Sequence, residues 1–285
     1  MLEMKINDYK WRVIPYESSS ASWNAAIDHA LLEVMKERVK SGENVTPVLR
    51  TYQFSRGTIT LGYGQNGSNF DRSKLNGYDI TTRISGGGHM FISPRDVNYC
   101  TILPRSLAPE DLIGSYRMLN EPIANALREL GFNARIGRTS IKVDTTEEKT
   151  LVGVAQKAGN GVLLQHGSIL FDDYTKEIFD ILNADEEEIK VWKEKIIALS
   201  MINGKVDPVT IAKEIERQFQ DKSHSQLDQR ELEVAKRLYE STYNNPEVVG
   251  MGPKIRDHIC ILEGLMTKNY QTHLEDNSGL ENDTT

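Results

Sequence analysis

Arg83-Ile-Ser-Gly-Gly-Gly-His-Met-Phe91 sets an arginine and three consecutive glycines between two strand-like runs. Tyr78–Arg83 alternates and is rich in β-branched residues, and Asp96–Leu103 reads the same way. Three residues without a Cβ let a ligand approach the backbone closely, and their N–H groups can point at an anion. Arg83 adds a permanent positive charge beside them. The same residues also suit a tight hairpin that merely tolerates glycine. The loop alone does not decide between the two readings, so its neighbours must.

Outward from the loop, β-like segments dominate residues 11 to 172. Strands are expected at Trp11–Ile14, Pro47–Phe54, Thr58–Tyr63, Ala134–Ile136, Ile141–Val143, Leu151–Ala155 and Val162–Phe171. Two helical patterns interrupt them. One follows Ser18-Ser-Ser20, with Ser20 or Ser22 as the cap, and carries Trp23, Ala26, Ile27, Ala30, Leu31 and Val34 on one stripe. The other follows Pro109-Glu-Asp111 and ends at Gly131, with a kink or break expected at Pro122. Beyond residue 172 the pattern turns helical, over Tyr174–Leu182, Glu186–Ile197, Val209–Phe219 and Leu227–Tyr243. The fold class expected is α/β (α+β): a mixed, largely antiparallel sheet flanked by helices. The division expected is a catalytic domain over 1–183, a helical portion packed on it over 184–252, and a mostly disordered extension over 253–285.

Composition excludes several classes. A chain of 285 residues buries roughly three-quarters of its unfolded surface. A net charge of -7 argues against a dedicated nucleic-acid binder. Two cysteines, Cys100 and Cys260, are too few and too far apart for a disulfide framework or a thiolate metal site. No basic-then-apolar leader opens the chain and no apolar run reaches membrane-spanning length, so a soluble, cytoplasmic protein is expected, with no membrane partner.

Three further segments belong with the glycine loop. Gly62-Tyr-Gly-Gln65 closes a hairpin candidate, Leu151-Val-Gly-Val-Ala155 is a strand with small residues, and Gln165-His-Gly-Ser-Ile-Leu170 carries a histidine in an apolar strand. Glycine weakens a strand unless something must approach closely. His166 by itself also suits a satisfied structural histidine. In order and wording, the four segments resemble the lipoate–protein ligase and octanoyltransferase family, which shares its catalytic fold with biotin–protein ligases. The resemblance runs from Trp11 to Phe171, and Glu233–Asn244 looks like the closing helix of short archaeal-type ligases.

That resemblance implies a chemistry and a set of roles. Family ligases join an acyl carboxylate to AMP and pass the acyl group to one lysine of a lipoyl domain. Arg83 and the amides of Gly86, Gly87 and Gly88 would surround the acid–phosphate junction. Gly62, Tyr63, Gln65, Gly153, Val154, Ala155 and His166 would line the acyl channel. The implied substrates are ATP with Mg2+ and lipoate or octanoate. The implied partners are apo lipoyl domains of 2-oxoacid dehydrogenase or glycine-cleavage complexes, together with a separate small accessory domain.

The chain departs from the family pattern at three points. His89-Met-Phe-Ile-Ser93 stands where the pattern continues to a His-Asp pair, and Thr139-Ser140 stands where it has Asn-Asp. The catalytic lysine of the pattern, Lys-x-x-Gly, meets Thr150, with Lys149 one residue earlier. A one-residue slip turns a side chain to the other face of a strand, and a bulge after Glu147-Glu148 would return Lys149 as the catalytic lysine. Lys142 and Lys157 are weaker substitutes. The reaction expected is ATP-dependent attachment of a lipoyl or octanoyl group. Two alternatives stay open: octanoyl transfer from a carrier protein, and a catalytically weak relative that binds lipoate or a lipoylated protein. No cysteine stands where the cysteine-dependent transferases carry theirs.

Overall fold

The computed structural model describes residues 4–65, 72–75, 77–144, 148–174, 179, 181, 186–203 and 205–244. Most of the helix expected over Tyr174–Leu182, all of the extension from 253 and Cys260 lie outside the described residues.

Local sequence chemistry sets the two long helices. In α1 (Ala21–Lys40), the Ser20 hydroxyl accepts from the Trp23 N–H at 3.2 Å and caps the first turn. In α2 (Leu112–Glu129), the Asp111 carboxylate accepts from the Gly114 N–H at 2.7 Å. Gly131, at φ +87°, ends α2: its N–H reaches the Arg128 carbonyl and that of Phe132 the Leu127 carbonyl. Pro122 lies inside α2 without breaking it. Leu119, Ile123 and Leu127 are fully buried on either side, and that packing outweighs the hydrogen bond the proline removes.

The strands are β1 (Trp11–Ser19), β2 (Val48–Phe54), β3 (Thr58–Leu61), β4 (Asp79–Thr82), β5 (Met90–Ile92), β6 (Val97–Pro104), β7 (Ala134–Ile136), β8 (Ser140–Asp144), β9 (Glu148–Gly159), β10 (Val162–Ile169) and β11 (Lys222–His224). Eight of them form one sheet in the order β11-β1-β2-β6-β10-β9-β8-β7, and β4-β3-β5 form a second, smaller sheet. Pairing in the large sheet is antiparallel except at β11–β1–β2, so it is mixed and largely antiparallel as expected. The glycine loop joins β4 to β5 within the small sheet, not to β6 directly.

Shorter helices follow the sheet: α3 (Glu186–Lys195), α4 (Leu199–Asn203), α5 (Pro208–Arg217) and α6 (Gln229–Leu238). One face of the large sheet buries Leu49, Tyr99, Leu103 and Leu163 against α2 and α5. The opposite face buries Val48, Ile102 and Leu164 against α1 and α6. Besides β5, where no strand was expected, β1 and β11 depart from the sequence reading. β1 runs on through Pro15, because its register with β2 shifts between Ile14 and Glu17 and absorbs the missing donor. β11, a polar three-residue strand after α5, pairs parallel with β1 and closes that edge. No helix among the described residues is long and apolar enough to cross a membrane.

Candidate active site

Strand register brings separated residues into a single row. Arg50 of β2 is paired with Cys100 of β6, Cys100 with His166 of β10, and His166 with Ala155 of β9. Side chains alternate across a strand, so all four point to the face that α1 covers. Asn98 and Ser168 share that face one step along, and the Ser168 hydroxyl donates to the Asn98 amide oxygen at 2.6 Å.

Asp28 of α1 sits above this row and gathers its polar ends. Its carboxylate accepts from Arg50 Nη1 at 2.7 Å and from the Tyr52 hydroxyl at 2.8 Å, and His166 Nδ1 lies 3.6 Å away. Burial alone would raise this carboxyl, but the Arg50 guanidinium and the His166 and Tyr52 contacts hold it below its ordinary value. Arg50 is fully buried and stacks over the Tyr52 ring at 4.0 Å. His166 Nε2 meets the Ser85 hydroxyl at 2.5 Å, which ties the row to the glycine loop. Asp28, Cys100 and His166 could offer three ligand atoms to a metal. Arg50 already occupies the carboxylate, however, and its charge opposes a cation there.

A cavity of about 470 Å³ opens beside this cluster. Phe54, Ile84, Met90 and Ile197 supply apolar wall, and Gly86, Gly87 and Gly88 line one side. The loop is braced from within: Arg83 Nη2 donates to the Gly86 carbonyl at 2.9 Å and the Gly88 carbonyl at 2.6 Å, while Nη1 reaches the Thr60 carbonyl at 3.2 Å. Burial lowers the Arg83 guanidinium to about 10, still cationic at neutral pH. Gly62 permits this geometry, since a Cβ there would overlap the Gly87 carbonyl oxygen.

The opposite wall is β9. Its pairing with β8 joins Lys142 to Thr150 but Ile141 to Val152, leaving Leu151 as the extra residue of a bulge. Thr150, Gly153, Val154 and Ala155 line the cavity. The Lys149 ammonium instead donates to the Lys193 carbonyl of α3 at 3.0 Å, and Lys149 is not among the lining residues. The bulge therefore falls three residues later than expected, after the lysine it was to redirect. Trp192 and Lys193 of α3 line the cavity from above, and Trp192 stacks on His89 of the glycine loop, 6.4 Å between ring centroids and 11° between planes.

Of the residues singled out in the sequence, Arg83, Gly86, Gly87, Gly88, Gly153, Val154, Ala155 and His166 come together at this cavity. Gly62, Tyr63 and Gln65 do not line it. They sit behind the loop, where the Tyr63 N–H donates to the Ser85 carbonyl and the Gln65 side chain accepts from the Gly62 N–H at 2.9 Å. Asp28, Tyr52, Trp192 and Lys193 were not foreseen. Asp28 had a signal: with Asn24 it interrupts the apolar stripe of α1 at i, i+4 spacing, so two polar side chains had to be buried together. Cys100 is sealed in the sheet with 1% exposure, and burial and Asp28 raise its thiol well above the ordinary value.

Comparison with known proteins agrees with this fold. Residues 20–220 match the family model of the lipoyl protein ligase A/B catalytic domain. The chain is 28% identical over 224 residues to octanoyltransferase LipM of Kyrpidia tusciae, covering 68% of this chain and 80% of that protein. It is 27% identical over 271 residues to octanoyltransferase LipM of Clostridioides difficile, covering 84% and 97%. In fold it resembles the bi-partite lipoate protein ligase of Thermoplasma acidophilum, with a TM-score of 0.75 and 22% identity over 86% of this chain and 97% of that one. It also resembles lipoate-protein ligase A solved with ATP bound, with a TM-score of 0.70 and 22% identity over 84% and 98%. With a matched region covering more than half its length, the chain belongs to the lipoyl protein ligase A/B catalytic domain family.

Proposed function

We propose that this protein attaches a lipoyl or octanoyl group to the lysine of a lipoyl domain by way of an acyl-adenylate. The observation that carries the ligase form of the reaction is the state of the thiol. No cysteine lines the cavity among the described residues, and Cys100 is buried and held protonated. Among the described residues a thiolate-bound acyl group therefore has no seat at this site, which favours another form of activation for the acid. In the reaction proposed, a carboxylate oxygen attacks the α-phosphorus of ATP and pyrophosphate leaves. The lysine amine then attacks the acyl carbonyl and AMP leaves.

The chain's own residues take simple parts in this scheme. The apolar wall near Ile84, Met90, Val154 and Ala155 receives the acyl chain, with His166 beside it. Gly86, Gly87 and Gly88 allow the phosphate junction to approach the backbone, and Arg83 engages the Gly86 and Gly88 carbonyls. Mg2+ would accompany ATP as part of the substrate. The acceptors proposed are apo lipoyl domains of 2-oxoacid dehydrogenase or glycine-cleavage complexes, with a small accessory domain as a second partner.

A second reading, octanoyl transfer from an acylated carrier protein, is favoured by the names of the relatives at 27–28% identity. One experiment separates the two. The protein is incubated with an apo lipoyl domain and either ATP, Mg2+ and lipoate or octanoate, or octanoyl carrier protein without ATP, with the accessory domain added in parallel. Intact mass of the lipoyl domain is the readout. Modification only in the ATP arm supports the ligase, modification only in the carrier arm supports the transferase, and none in either refutes acyl attachment.

A further inference from the structure

We propose that Lys193, carried by the helix that covers the cavity, is the residue that binds the acyl carboxylate, and that Lys149 is a positioning residue for it. The inference rests on the acyl-attachment reading and names the charge that reading requires.

An acyl carboxylate or its phosphate ester needs a cation with hydrogens to spare. Two cationic side chains line the cavity among the described residues, Arg83 and Lys193. Arg83 directs its terminal nitrogens at the carbonyls of Thr60, Gly86 and Gly88, so its donors hold the loop. Lys193 is exposed at the cavity edge and forms no ion pair among the described residues. Asp28 and Asp172, carboxylates of the same cavity, are each matched by an arginine, Arg50 and Arg95. Lys193 is thus the cavity-lining cation not committed to the loop.

Three contacts fix the helix that carries it. Trp192 stacks on His89, which anchors α3 to the glycine loop. Thr150 bridges to Ile196, and the Ile197 N–H donates to the Thr150 carbonyl at 3.0 Å, which anchors the end of α3 to β9. Lys149 supplies the third contact. Its ammonium donates to the Lys193 carbonyl, one of the last-turn carbonyls that lack a helical partner, and a cation there also stabilises the negative end of the helix dipole. The lysine next to the strand thus holds the lysine at the cavity.

The test uses ligand binding as well as turnover. Lipoate and its neutral amide, lipoamide, are titrated calorimetrically into the full chain and into the Lys193→Gln, Lys149→Gln, Lys149→Arg and Lys193→Gln/Thr150→Lys variants. Lys193→Gln is expected to weaken lipoate about tenfold, equivalent to about 1.4 kcal/mol, and to change lipoamide less than about twofold. Lys149→Gln is expected to lose several-fold for lipoate alone, and Lys149→Arg to regain it. Thr150 lines the cavity, so lysine there is expected to restore lipoate selectivity in the Lys193→Gln background. Equal loss of both ligands, or no loss of lipoate, in Lys193→Gln overturns the proposal. Failure of the unmodified chain to bind either ligand instead overturns the acyl-attachment reading beneath it.

Discussion

Arg50→Met tests whether the row under α1 is held by charge. The variant keeps most of the side-chain volume but removes the guanidinium that pairs with the buried Asp28 carboxylate. The Tyr52 hydroxyl remains at 2.8 Å and His166 Nδ1 at 3.6 Å, so one hydrogen bond survives while the arginine charge does not. Removing one partner of a buried pair costs about 3–5 kcal/mol, because the other charge is left uncompensated. Equilibrium urea unfolding of the wild type, Arg50→Met, Asp28→Asn and the double variant gives the cycle. The double variant is expected to recover about 2 kcal/mol or more of the Arg50→Met loss, since no charge is then stranded.

The pH dependence has a definite sign. In the wild type the folded Asp28 carboxyl lies below its ordinary value, so its stabilisation is present above that value and fades only under acid. Without Arg50, burial is expected to push it above the ordinary value, and the deficit then shrinks as pH falls towards 4. A loss under about 1 kcal/mol at neutral pH, or a double variant less stable than Arg50→Met, would refute a charge-held row.

Other consequences are quicker to check. Gly62→Ala puts a Cβ against the Gly87 carbonyl and 3.3 Å from Arg83 Nη2, whereas Gly64→Ala meets nothing within 4 Å. Ligand binding is expected to fall at least tenfold in the first and to stay within about twofold in the second. Gly167→Ala meets the Tyr99 ring and hydroxyl at 2.7–2.8 Å; a thermal-melt loss equivalent to about 1–3 kcal/mol is expected, as for other overpacked cores. Iodoacetamide is expected to leave Cys100 unmodified in the native chain and to label it in urea, as read by peptide mass.

Much of this site could be read from residues close together in sequence. Glycines and the Arg83 and His166 motifs sit on single strands or loops, so local wording carries them. Strand positions were legible for a similar reason: alternation is set residue by residue, and Ala134–Ile136 falls where the pattern put it. What escaped depends on pairing between distant segments. Lys222–His224 has no alternation and becomes a strand only because β1 offers an open edge. The bulge at Leu151 is chosen by the partner strand β8, so Lys149 itself gave no warning of its direction. Nothing near Trp192 and Lys193 announces a binding site. Their helix looks like an ordinary amphipathic surface helix until the glycine loop and β9 meet it.

The bulge in β9 gives the strand two reading frames, one on each side of Leu151. Removing a single residue, Thr150, while the bulge stays at Leu151 would carry Lys149 into the cavity-facing position opposite Lys142, with the residues before it slipping by one against β8. Around such a joint, position-by-position identity counts a lysine shifted by one residue as a loss, even when a neighbouring backbone brings another lysine to the same cavity.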